Sequence, residues 1–160
     1  MSVERWAVSV GAAALVTGVA GAGEGYPANA FHCRVSSLSE RPVPGRTSFN
    51  YGNARIAVAL PPRATFVAVS ETEPGGAWVQ KDGWIRTKLG WWAARGKPHV
   101  VGRRLDRSAR PLRADVAPLS STSSGTFYPS LLYFSSPGCW KLTATAGTSR
   151  LDAVVRVVKK

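Results

Sequence analysis

Ser136-Pro137-Gly138-Cys139-Trp140-Lys141-Leu142-Thr143-Ala144-Thr145, continued by Ala146-Gly147-Thr148-Ser149 into Arg150-Leu151-Asp152-Ala153-Val154-Val155-Arg156-Val157-Val158, reads as a strand, a short turn and a closing strand. Alternation places Trp140, Leu142 and Ala144 on one face, answered across the hairpin by Leu151, Ala153, Val155 and Val157. The other face carries Lys141, Thr143, Thr145, Asp152 and Arg156. A period of two with one apolar and one polar face marks an antiparallel pair buried on one side.

Upstream the same short-strand rhythm continues. Ala54, Ile56, Val58 and Leu60 alternate with Arg55, Ala57 and Ala59 until Pro61-Pro62 stops the strand. A second strand is predicted over 65–70, followed by a Glu73-Pro74-Gly75-Gly76 turn. Segments 77–80 and 84–89 flank Lys81-Asp82-Gly83, where Asp-Gly signals a hairpin. Strands follow over 100–105 and 112–117, then a polar loop over 120–125. The segment 127–134 is a strand broken by Pro129, which favours a sheet edge or a bulge. Seven or eight strands at about ten-residue spacing, with no helical period outside the N-terminal segment, predict an all-β fold. A Pro-Gly turn before an aromatic-initiated strand and a β-branched last strand is how many immunoglobulin-like sandwiches finish, and an immunoglobulin-like antiparallel β-sandwich is expected over 51–160. Between 23 and 50 breakers such as Arg41-Pro42-Val43-Pro44-Gly45 outnumber any period, and an irregular N-terminal arm is predicted there.

Residues 1–22 begin Met1-Ser2-Val3-Glu4-Arg5, run apolar and small from Trp6, and end in Ala20-Gly21-Ala22, the small-x-small pattern of signal-peptide cleavage. The competing reading is an uncleaved N-terminal anchor, although the apolar run falls short of the roughly 20 residues that span a hydrocarbon core. Cys33 follows Ala30-Phe31-His32, which lacks the small residues of a lipid-modification box. The expectation is a secreted or extracytoplasmic protein with no transmembrane segment after cleavage. Both cysteines, Cys33 and Cys139, then meet oxidising surroundings and are expected to pair. Cys139 precedes Trp140 and so points away from the face that Trp140 buries. A bridge would therefore clip the arm to the outside of the sheet, closing a loop of about 105 residues.

Net charge is +12 at neutral pH, and the cations are unevenly spread. Lys81, Arg86, Lys88, Arg95, Lys97, Arg103, Arg104, Arg107, Arg110 and Arg113 crowd one stretch against only Asp82 and Asp106, with Trp78, Trp84, Trp91 and Trp92 in or beside it. Inside a cell this pattern would suggest phosphate neutralisation with base stacking. Export disfavours nucleic acid and points instead to envelope polymers, anionic headgroups or acidic polysaccharides. The plainer alternative is compositional, with arginines scattered on solvated faces. Trp91 and Trp92 are adjacent, so within a strand one packs inward and the other outward. The candidate ligand residues are Trp91, Trp92, Arg95, Lys97, Arg103 and Arg104: indoles for stacking a sugar ring, cations for an anion.

Catalytic chemistry finds no constellation. The only histidines are His32 and His99, and no Gly-x-Ser-x-Gly elbow accompanies them. A copper site would need two histidines, a cysteine and usually a methionine, yet the only methionine is Met1. A disulfide would consume the sulfurs that zinc requires, and no spacing singles out a pair of carboxylates for glycoside cleavage. No catalytic residue, metal ligand or cofactor is assigned.

Tyr51-Gly52-Asn53, Asp82-Gly83, Trp91-Trp92, Gly102-Arg103-Arg104-Leu105-Asp106 and Gly138-Cys139-Trp140, taken as a set, resemble a family of small exported bacterial proteins of unassigned function. Ser135 and Ala93 depart from that pattern, where such proteins often carry Pro and Arg. The resemblance implies an immunoglobulin-like fold and export, and no chemistry. The functional expectation is a non-catalytic, secreted or envelope-associated module presenting a basic, Trp-containing surface to an anionic or carbohydrate ligand. The alternative is an accessory or inhibitory domain that binds another exported protein through a sheet edge or loops.

Overall fold

The structure, a computed structural model, describes residues 32–39, 48–123 and 125–160. The signal segment expected over 1–22 lies outside the described residues, as do 23–31 and 40–47 of the expected arm. The strands are β1 (Tyr51–Gly52), β2 (Ile56–Val58), β3 (Thr65–Ser70), β4 (Ala77–Val79), β5 (Ile85–Ala93) and β6 (His99–Arg104), then β7 (Arg113–Val116), β8 (Ser120–Thr122), β9 (Gly125–Phe134), β10 (Gly138–Ala146) and β11 (Ser149–Lys159). The fold is all-β.

The closing hairpin forms in the register that alternation demands: Trp140 faces Val155, Leu142 faces Ala153 and Ala144 faces Leu151. Trp140, Leu142, Ala144 and Val155 are fully buried. Gly147, at φ 55°, supplies the left-handed residue of the turn. From this hairpin the hydrogen-bonded order runs β1-β2-β5-β4-β3-β11-β10-β6, with β9 on the other flank of β5 and β7 and β8 on β9. The sheet folds over on itself. Phe134 of β9 packs against Phe66 of β3 at 5.7 Å and Trp140 of β10 at 5.3 Å between ring centroids, so one layer (β7, β9, β5, β2) faces another (β3, β11, β10, β6). At the far margin the Leu112 N–H donates to the Gly102 carbonyl at 3.0 Å, drawing the approach to β7 towards β6.

In three respects the sheet differs from the expected one. It holds eleven strands rather than seven or eight, partly because the Ser120–Thr122 segment read as loop pairs with the start of β9, Ser120 facing Phe127. It is mixed rather than purely antiparallel: β3 runs parallel to both β11 and β4. The cause is the 3-10 turn Pro62–Ala64, which carries the chain from β2 in one layer to the side of β11 in the other. Finally, Pro129 lies in an interior strand, opposite Gly90 of β5. Its carbonyl accepts from the Ala117 N–H at 2.8 Å, so its nitrogen also faces the gap where β9 passes from β8 to β7. No ladder bond is lost there.

The arm is more integrated than a run of breakers suggests. The Ser36 N–H donates to the Val154 carbonyl at 2.8 Å, and the Val154 N–H donates to Ser36 Oγ at 2.9 Å. These bonds cover part of the β11 edge that β3 leaves open, since β3 pairs only with Arg156–Lys159. Val35 and Leu38 pack against the core, and Phe49 is buried with Ala57. That contact explains why Ala57, expected on a polar face, is fully buried. Cys33 and Cys139 are joined, Cα to Cα 5.5 Å, on the side of β10 opposite Trp140. Cys139 is 2% exposed, because the arm covers it from outside.

Candidate functional site

The proposed ligand residues do not converge. Trp91 is 1% exposed and belongs to the core; its indole N–H donates to Ser130 Oγ at 2.9 Å, and that hydroxyl donates to the Leu89 carbonyl at 3.1 Å. It has no surface to offer a ligand. Trp92 points to the outside of the β5 layer and is half-buried beside Phe49, Ala57 and Phe127. Arg95 and Lys97 are exposed in the connection from β5 to β6, where Lys97 Nζ donates to the Val116 carbonyl at 3.1 Å. Arg103 is exposed on the outer face of β6, and Arg104, one residue on, turns inward with its side chain 4% exposed.

The interleaved arginines and tryptophans satisfy one another. Arg110 and Arg113 lie over Trp84 at 4.7 and 4.1 Å from its centroid, and Arg86 lies over Trp78 at 5.7 Å. Guanidinium stacking of this kind is worth roughly 0.5–2 kcal/mol per contact and leaves little indole face for a sugar. Trp84 is 6% exposed for this reason.

Arg104 closes a corner. Its Nε and Nη2 donate to both oxygens of Asp106 at 2.6 and 3.0 Å, while Nη1 donates to Ser136 Oγ at 2.8 Å. The guanidinium hydrogen bonds hold the Asp106 carboxyl below its ordinary range, against the opposing effect of burial. The Leu105 N–H donates to the Cys139 carbonyl at 2.8 Å, joining this corner to the disulfide strand. Thus the Gly-Arg-Arg-Leu-Asp and Gly-Cys-Trp motifs meet in space as one structural joint.

A coherent charged surface does exist, on the outer face of β6, β10 and β11. Register aligns Arg103 with Lys141, Val101 with Thr143, and His99 with Thr145. On the next strand Thr143 meets Asp152, Thr145 meets Arg150, and Cys139 meets Arg156. With strands about 4.8 Å apart and same-face residues about 6.8 Å apart along each strand, Arg103, Lys141, Arg150 and Arg156 form a cationic lattice that the arm crosses at Cys139, the Cys33 carbonyl accepting from Arg156 Nη2 at 3.4 Å. Its carboxylate is Asp152, which is internally matched: Thr143 Oγ1 donates at 2.6 Å, Lys141 Nζ lies at 3.0 Å and Arg150 Nη2 at 3.2 Å. The Thr143 hydrogen bond first, then Lys141 and Arg150, bring the Asp152 carboxyl down to about 2 against a modest burial effect. Of the residues proposed from sequence, only Arg103 lies on this face; Lys141 and Arg156 were visible in the closing strands' alternation but were not nominated.

A depressed carboxyl stabilises the fold above its unfolded value near 3.8, and that contribution is lost as pH falls towards the folded value near 2. Denaturant unfolding at pH 6, 4, 3 and 2 is therefore expected to show stability falling mainly below pH 4. Asp152→Asn flattens that fall while lowering stability at pH 6; an unchanged acid slope in the variant would remove Asp152 from the account.

No protein-family model matches the chain, and no curated protein matches it significantly. Among the described residues no group of three or more His, Cys, Asp or Glu side chains is arranged to hold a metal ion, and no helix is long and apolar enough to cross a membrane.

Proposed function

We propose that the chain is an exported, non-catalytic module that binds an anionic polymer on the outer face of β6, β10 and β11. The observation that carries this reading is the lattice of Arg103, Lys141, Arg150 and Arg156 around a carboxylate already matched by its own neighbours. A polymer with regularly spaced anions gains by releasing counterions to such a lattice, and the half-buried Thr145 adds a hydroxyl beside it. The disulfide and the net charge of +12 accord with work outside the cytoplasm on an anionic envelope component. Stacking of a sugar on Trp91 and Trp92 is not part of this reading, since Trp91 is enclosed.

Binding of a linear polyphosphate tests it. With about four charge contacts, raising salt from about 50 to 200 mM is expected to weaken binding roughly 50-fold, and Arg103→Ser with Arg156→Ser reduces that to roughly sevenfold. Salt-independent binding, or a double variant that behaves as the parent, would overturn the polyanion reading in favour of a protein partner.

A further inference from the structure

The opposite layer carries a second, chemically different feature where β5 changes partner. β4 pairs with Ile85, Arg86 and Thr87, whereas β2 pairs with Trp91, Trp92 and Ala93. No strand pairs with Lys88 on that flank, and a seam opens there.

Two hollows meet at the seam, one of about 550 Å³ and one of about 650 Å³, with Ala59, Lys88 and Leu89 lining both. Each falls within the range of roughly 300–1,000 Å³ that small-molecule sites occupy. The larger runs over the outer face of β5 and β9, where Lys88 stands opposite Leu131 and Gly90 opposite Pro129. Gly90 bounds it: a Cβ there would come within 3.3 Å of the Phe127 ring, which packs against the glycine and forms the wall. The floor and wall are thus hydrocarbon, and Phe127 and Leu131 are only half-buried by the protein itself.

Charge gives this trough a direction. Lys88 is exposed at the saddle between the hollows and forms no ion pair among the described residues. The smaller hollow is lined by Lys88 and by no acidic side chain. The larger has Asp115 on its far rim, facing Leu131 from β7 and so two strand spacings, about 10 Å, from the Lys88 strand. An anion is therefore attracted at Lys88 and repelled at Asp115 in the same row, which places it on the β5 side of the hollow.

We propose that this seam binds one long-chain fatty acid, its carboxylate at Lys88 and its hydrocarbon lying over Pro129 between Leu131 and Phe127. The occupant is a single free carboxylate rather than an anionic bilayer, because the larger hollow is lined by one cation, Lys88, and also by the carboxylate of Asp115. The site is independent of the basic lattice, which lies on the other layer.

Equilibrium titration of the purified chain with a fluorescent conjugated C18 fatty acid, kept below its aggregation concentration, tests the proposal. Saturable one-to-one binding is expected, displaced by palmitate and not by hexadecanol or hexadecylammonium. Lys88→Glu is expected to weaken it at least tenfold with the thermal unfolding midpoint unchanged, and Leu131→Gln to weaken it with the carboxylate preference kept. Arg103→Ser with Arg156→Ser leaves it as in the parent. Equal displacement by the alcohol, binding only to anionic vesicles, no saturable binding, or loss in the Arg103 and Arg156 variant with Lys88→Glu intact would each overturn it.

Discussion

Removing the bridge with Cys33→Ala and Cys139→Ala is expected to lower the unfolding free energy by about 4 kcal/mol, measured by urea titration. The two cysteines are 106 positions apart, and closing a loop of about that length removes unfolded-chain entropy worth roughly 4–5 kcal/mol in the chain-entropy model. Domains of this size carry only about 5–15 kcal/mol in total, so between about a quarter and four-fifths of the margin is at stake. Alanine is chosen because Cys139 is 2% exposed, and a serine hydroxyl there would add a desolvation cost of about 1–3 kcal/mol unrelated to the bridge. Native-state effects act in the same direction. Without the bridge, the segment around Cys33 is held by the two Ser36–Val154 hydrogen bonds and by the contacts of Val35 and Leu38 with the core. Each single variant should match the double one, because either change breaks the same bond. A loss below about 1 kcal/mol, or a reductant that leaves the parent's midpoint unmoved, would show that the bridge does not constrain the unfolded chain.

How far the molecule could be read from its sequence follows from the range of the forces involved. The closing hairpin was legible to the register, because alternation of Trp140, Leu142 and Ala144 against Val155 and Ala153 is a local signal. The disulfide and its placement outside the sheet followed from one residue of offset between Cys139 and Trp140. Parallel pairing of β3 with β11 was not legible, since it depends on where a proline-rich turn delivers the chain rather than on any period in β3 itself. The arm was underestimated for a related reason: Ser36 and Val35 are held by β11 and the core, at the far end of the sequence. Nor could the basic stretch be divided by composition. Arg104, Arg110 and Arg113 serve as internal partners of Asp106 and Trp84, whereas Arg103 faces solvent beside Lys141. Adjacent arginines with opposite roles are what a strand's alternation produces, and that alternation could have separated Arg103 from Arg104 beforehand.

Gly138→Ala is expected to destabilise the fold by about 3–4 kcal/mol. Gly138 has φ +146°, a conformation that costs an L residue on the order of 1–3 kcal/mol, and a Cβ there would overlap the guanidinium of Arg104. The guanidinium cannot step aside freely: its side chain is 4% exposed and is held by Asp106 and Ser136. Displacing it breaks a bidentate pair, which costs about 3–5 kcal/mol when fully buried and less here, because the Asp106 side chain is 24% exposed. The decisive measurement is the double variant. Arg104→Ala removes the overlap, so Gly138→Ala should cost about 1–2 kcal/mol less in that background than in the parent, a coupling that separates crowding from backbone strain. Additive losses would mean that φ alone excludes a side chain at 138, and a loss under 1 kcal/mol would mean that the corner tolerates one. Coupling of the expected size gives Gly138 and Arg104 a common physical cause: the arginine fills the space that the glycine leaves, directly beside the strand residue that carries the disulfide.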